Sequence, residues 1–332
     1  MSQRIDWIDA LKGLAILLVV FGHCVDDSIS SNTFPVYAFN LQILHDFIYS
    51  FHMPLFFAIS GFVFYLSKSY RKFKYKVWDF TVVYVIWSFL MWLSKYFMAK
   101  DINNPVTILD LLSIVYKPIM IYWYLFVLIF MYIIASLLKW YKVDNVLLIG
   151  AAVVAVCSKL LNLDIGIVNA ILYYEYFFLA GGYCYNNDLL TKIKKKHILV
   201  FSVLLFLVYF GYLYYLDNTL FMVINKFIIA NFTSLVLFYL VAHMKPNKLF
   251  ILFGTYTLQI YVMHCFFTAG LRVAFKHLAI SNIYLYFVLG IILGILVPII
   301  TAKNIKNVPV FNICFEPMKS LSALGVVKGN GY

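Results

Sequence analysis

Charge is what this chain has least of. Only 12% of its 332 residues are Asp, Glu, Lys or Arg, and 64% are apolar; a soluble domain carries about 25% charge. A water-soluble fold has no way to hide that much apolar surface, so lipid must be the solvent for much of it. Cysteine is scarce and scattered. Cys24, Cys157, Cys184, Cys265 and Cys314 form no CxxC pair and no His/Cys cluster at metal-ligand spacing. Neither a disulfide scaffold nor a zinc site is indicated, and no metal is expected. The first apolar run is followed by no small-residue cleavage site, so it reads as a retained helix rather than a signal peptide. The alternating polarity of β-barrel strands is missing. So is a clear internal repeat, which weighs against an inverted-repeat transporter.

Apolar runs of helical length are what the chain does have. About 20 mainly apolar residues cross the hydrocarbon core as a helix. Ten segments approach that length: 7–25, 41–66, 77–98, 120–140, 144–161, 167–186, 198–216, 220–243, 248–275 and 283–302. The expected fold is an all-α polytopic membrane protein of about ten transmembrane helices, with a membrane domain over 1–303 and a cytoplasmic tail over 304–332. A bacterial-type cytoplasmic membrane is the expected location.

The net charge of +12 follows from the loops and is not a sign of nucleic acid. With the N-terminus cytoplasmic, 18 Lys and Arg fall on the cytoplasmic segments and 4 on the outer ones. That bias matches the rule that cytoplasmic loops collect positive charge, and it puts both termini inside. The basic loops 68–76 and 192–196 fit orientation and contact with anionic membrane lipid.

Ionisable groups inside a span cost several kcal/mol, so each is a functional suspect. In the first span, Lys12 and His23 are eleven residues apart, within about 20° of three full turns, and so share one stripe about 16 Å long. Asp9 lies one turn before Lys12 and can pair with it. The bland alternative is that Lys12 snorkels to the interface and His23 marks the helix end. The second span carries His45, Asp46 and His52, with Pro54 freeing a carbonyl near mid-span; His52 either satisfies that region or lines a site. Glu175 stands among Tyr173, Tyr174 and Tyr176, where a lone carboxylate has to be paired or protonated. His264 in the ninth span and Trp123-Tyr124 at the fourth complete the set. His197, His243 and His277 lie at predicted ends or loops and are assigned no role.

These residues resemble a known family. Ile5-Asp6-Trp7-Ile8-Asp9-Ala10-Leu11-Lys12-Gly13 through Phe21-Gly22-His23 is similar to the opening of the membrane acyltransferase-3 family, in its fucose 4-O-acetyltransferase-like branch. Phe51-His52-Met53-Pro54-Leu55-Phe56-Phe57 with Ser60-Gly61-Phe62 resembles that branch's second signature. Trp123-Tyr124-Leu125, Tyr176-Phe177-Phe178 before Gly181, and Tyr261 to His264 are weaker echoes. Much of the wider family has Arg where this chain has Lys12; Lys places a cation but lacks the bidentate fork.

The resemblance implies an enzyme that O-acylates, usually acetylates, a cell-surface or lipid-linked polysaccharide sugar, with acetyl-CoA as cytoplasmic donor. A sugar hydroxyl is a poor nucleophile until a base takes its proton, and a neutral His can do so. His23 is then the base or a transient acyl carrier, with Lys12 on a CoA phosphate and the pantetheine arm along the stripe. His52 or His264 would orient the second substrate or stabilise the oxyanion. Glu175 joins the catalytic candidates, and Asp9, Trp123, Tyr124 and His264 the substrate-binding ones. Association with glycan-synthesis machinery is expected. The competing class is a transporter or flippase for a glycan precursor or other small polar substrate, which buried His and Glu also suit.

Overall fold

A computed structural model describes residues 5–68, 73–98, 106–138, 142–161, 165–214, 219–305 and 307–326. Arg4, Arg71, Lys72, Lys100, Lys139, Lys306 and Lys328, which enter the loop-charge count, lie outside these. Among the described residues there are helices and turns and no strand. In chain order the helices are α1 (Asp6–Ser30), α2 (Ala38–Leu66), α3 (Phe73–Phe97), α4 (Ile108–Ser113), α5 (Trp123–Leu137), α6 (Asn145–Leu160), α7 (Ile167–Asn186), α8 (Leu189–Lys192), α9 (Lys195–Tyr214), α10 (Thr219–His243), α11 (Lys248–Thr255), α12 (Thr257–His277), α13 (Ile283–Ile305), α14 (Pro309–Asn312) and α15 (Pro317–Ala323).

Among the described residues, seven helical segments are long and apolar enough to cross a membrane: Asp6–Ser30, Pro35–Leu66, Phe73–Phe97, Met120–Leu137, Leu220–His243, Thr257–His277 and Ile283–Ile305. The expected spans at 144–161, 167–186 and 198–216 hold α6, α7 and α9, which are not among the seven; positions 215 and 216 lie outside the described residues. The expected ninth span, 248–275, is not one helix. It breaks at Tyr256 (φ −106°, ψ 21°) into α11 and α12. Gly254, Thr255 and Thr257 are weak helix formers, and the Thr257 hydroxyl donates to the Gly254 carbonyl at 2.8 Å, a local bond of the kind that competes with the helix ladder.

Helix α1 sits at the centre, packed by α2, α10, α11, α12 and α13. Two glycine pairs set the closest approaches. A Cβ on Gly13 would lie 1.9 Å from the Phe250 carbonyl oxygen, and one on Gly254 1.7 Å from that of Asp9. Between α2 and α7, a Cβ on Gly61 would lie 1.8 Å from the Phe178 oxygen and one on Gly181 1.9 Å from that of Ala58. Lipid supplies no hydrophobic force between helices, so such small-residue contacts, with their van der Waals gain, are what hold spans together.

The segment after α13 folds back on α3. The Trp87 indole N–H donates to the Cys314 carbonyl at 2.8 Å, and the Met318 N–H donates to the Asp79 carboxylate at 2.9 Å. Phe315 and Met318 are buried beside them.

Candidate functional site

Two helices, α2 and α12, bring rings to His23 in the C-terminal part of α1. His23 faces His264 of α12 with ring centroids 5.1 Å apart, and the Tyr49 hydroxyl of α2 lies 3.5 Å from His23 Nδ1. Tyr49 is itself flanked on its own helix: His45 stacks on it at 4.0 Å and His52 meets it edge-on at 4.6 Å. The spacing 45, 49, 52 is one helical face, i to i+4 to i+7, which is why α2 presents all three together.

The backbone fixes two of these imidazoles. His264 Nδ1 donates to the carbonyls of Tyr261 and Ile260, at 2.8 and 3.0 Å. His52 Nδ1 donates to the Ile48 carbonyl at 2.8 Å. With Nδ1–H so used, each ring carries its lone pair on Nε2. In His264 that nitrogen points at Cys265 Sγ, 3.4 Å away. His52 therefore serves its own helix at Ile48 and leaves alone the Ser50 carbonyl that Pro54 releases, while keeping one edge on Tyr49.

A His/Cys cluster that sequence spacing does not show is made by the fold. Ligand atoms of His23, His264 and Cys265 all lie within 4.8 Å of one another. Such a donor set suits a borderline metal such as zinc.

Beyond His23, α1 continues with Asp26 and Asp27 on its next turn. Asp26 reaches His45 Nε2 at 3.4 Å. Both carboxylates line a cavity of about 410 Å³ together with Cys265, Lys95 and Arg272. Arg272 is buried and its Nε has no hydrogen-bond partner among the described residues, though it lies close enough to Asp27 for the charges to interact. Tyr49, Asp26 and Arg272 are site residues that the sequence does not single out, and His45, a suspect there, gains its partners only here. The run His23-Cys24-Val25-Asp26-Asp27 held a signal, since residues three and four apart share a helix face. Tyr49, one of 27 tyrosines, carried none.

The other residues singled out from sequence lie elsewhere. Lys12 pairs with Asp9 at 3.2 Å, as its spacing implies. The stripe from Lys12 to His23 is filled: Ile16 is 0% and Val19 3% exposed, packed into the main core. Ile16 and Val19 thus occupy the expected path for a pantetheine arm along this face, while Lys12 keeps 28% of its side chain exposed beside Asp9. Tyr124 shares a 2.8 Å hydrogen bond with Ser60 and packs on Tyr261 at 5.4 Å, which in turn lies 6.5 Å from His264. Trp123 is tilted against Tyr174 at 5.3 Å. Glu175 is not brought to the histidines. Both its carboxylate oxygens are buried without a hydrogen-bond partner among the described residues, and Tyr65, with its own hydroxyl likewise unpaired, is near enough to feel its charge.

The acyltransferase domain family matches residues 5–303, nearly the whole chain. The chain belongs to the acyltransferase-3 family. It is similar to the nodulation protein NolL of Mesorhizobium japonicum, 28% identical over 217 residues that make up 61% of this chain and 55% of that protein. It is also similar to NolL of Sinorhizobium fredii, 27% identical over 209 residues, 60% of this chain and 55% of that protein. The chain thus spans about half the length of these curated relatives. No solved structure matches. Within this acyltransferase-3 member, both signature segments reach the ring cluster: the first ends on His23 and the second begins beside His52.

Proposed function

We propose that the protein is an integral membrane O-acyltransferase that moves an acetyl group from cytoplasmic acetyl-CoA to a hydroxyl of a cell-surface or lipid-linked polysaccharide sugar. The observation that carries this reading is the meeting of His23, Tyr49 and His264 at one end of the central helix of an acyltransferase-3 chain. The loop-charge bias supports a placement with Lys12 on the cytoplasmic side and His23 toward the outside.

In this reading His23 does the proton work. A neutral imidazole whose Nδ1–H donates to Tyr49 presents the Nε2 lone pair to the acceptor hydroxyl. As the sugar oxygen attacks the acyl carbonyl, Nε2 takes its proton, the new ester C–O bond forms, and the bond to the leaving group breaks. The imidazolium then returns the proton to that leaving group. The same nitrogen can instead carry the acyl group between the two substrates. The backbone-locked His264 keeps its unprotonated Nε2 against Cys265 beside His23, and Tyr49 holds the His23 ring. Acetyl-CoA supplies the activated acyl group; because Ile16 and Val19 occupy the Lys12 stripe, no contact to it is assigned along that face.

The test is His23→Asn with membrane expression confirmed, followed by mass spectrometry of acetyl groups on the surface glycan. General-base loss costs about 10²–10⁴-fold. Unchanged acetylation would end this reading.

A further inference from the structure

Two further cavities are lined by other residues, one of them by Tyr49, and the larger shares Met120 with the Asp26–Arg272 cavity. One is about 610 Å³ and the other about 280 Å³. They share Lys159 and Tyr174, so they adjoin. The larger is also lined by Lys117 and Trp123, and the smaller by Lys226 and by Tyr49, whose hydroxyl lies beside His23. Side by side at Lys159 and Tyr174, the two form a track whose linings run from Lys117 and Trp123 to Tyr49 of the ring cluster.

The lining has a single sign of charge. Lys117, Lys159 and Lys226 face the track, and no Asp or Glu is among its described lining residues. Lys159 and Lys226 are close enough to repel each other. Lys159 also lies 4.8 Å over the Tyr173 ring, a cation–π contact that holds the ammonium at the wall. An anion between the lysines would relieve the repulsion. The half-buried aromatic pair Trp123 and Tyr174, tilted at 5.3 Å with Tyr174 also stacked on Phe57, adds apolar ring surface with a polar edge, suited to the C–H groups of a pyranose. The Asp26–Arg272 cavity differs, because an anion there would meet two carboxylates.

We infer that this track binds the acceptor, and that the acceptor is an anionic glycan whose sugars carry carboxylate or phosphate groups. The inference rests on the transferase reading above. Aromatic surface holds the sugar ring, the lysines hold its charge, and the chain is fed toward Tyr49 and His23.

The test uses the full chain in phosphatidylcholine nanodiscs. Binding of oligogalacturonate is compared with that of its methyl ester, which keeps the rings and removes the charge, by thermophoresis. The acid is expected to bind at least about tenfold more tightly, with an advantage that falls as salt rises. The Lys117→Gln/Lys159→Gln double variant is expected to lose about fivefold per lysine for the acid and little for the ester. Trp123→Leu is expected to weaken both. Equal binding of acid and ester, or a preference that survives the double lysine variant, overturns the inference. So does displacement of the acid by phosphatidylglycerol in the disc, which makes the track a lipid headgroup site. The His23→Asn variant separates the two readings. It should bind the acid like the parent chain, and if it also transfers acyl groups like the parent, the transferase reading fails while the binding result stands.

Discussion

Gly13→Ala places one methyl group where the structure has no room for it. The added Cβ would sit 1.9 Å from the Phe250 carbonyl oxygen, against 3.4 Å for ordinary contact, so about 1.5 Å must be found by moving α1 away from α11. The obstacle is backbone, which does not rotate aside. Overpacking of this kind costs about 1–3 kcal/mol. The functional cost should be larger, because α1 also carries His23, and α12, which carries His264, follows α11 directly. A displacement of about 1 Å at reacting groups costs about 10²-fold in rate. The expected outcome is a lowered thermal midpoint in detergent and an acetylation rate down by about 10²-fold, from a site ten residues away from His23. Gly150→Ala is the control: a Cβ there meets nothing within 4 Å, and Ala in a helix interior should stabilise by about 0.5–1 kcal/mol. If Gly13→Ala matches the parent chain in both midpoint and rate, α1 and α11 do not touch at these glycines, and their contact does not position His23.

Three further outcomes are expected. Tyr49→Phe removes a single long hydrogen bond to His23, so kcat should fall about two- to tenfold with the midpoint preserved; an unchanged rate would show that Tyr49 does not orient the ring. Glu175→Gln replaces a buried carboxylate without partners among the described residues by a neutral isostere, so stability should hold or rise and transfer should stay within about twofold. A large loss of transfer in intact protein would place Glu175 in the reaction. A His23 that accepts protons needs its lone pair free, so elemental analysis of the purified chain should find far less than one zinc per molecule; one zinc, lost together with His264→Ala and Cys265→Ser, would falsify the free-base reading and make the cluster a metal centre.

Local properties of the chain are legible in its sequence. Hydropathy and length mark the helices, because a helix in lipid must be apolar over its whole crossing. The Lys12–Asp9 pair follows from helical spacing alone, and α1 is unbroken over Asp6–Ser30, so the shared stripe with His23 stands as geometry. What the stripe contains is decided by packing: Ile16 and Val19 fill it against neighbouring helices. The break at Tyr256 is hidden in the same way, since an apolar run does not record whether its backbone stays helical. The company of His23 is the least legible of all. His264 and Cys265 come from the far end of the chain and Tyr49 from another helix, and nothing in a one-dimensional pattern ties them together. Hydropathy and spacing alone place this protein in lipid as helices, with His23 on the first of them. Which rings surround that histidine is set by helix packing, because contacts between helices depend on where glycines let backbones meet, and that is a property of pairs of helices rather than of any one.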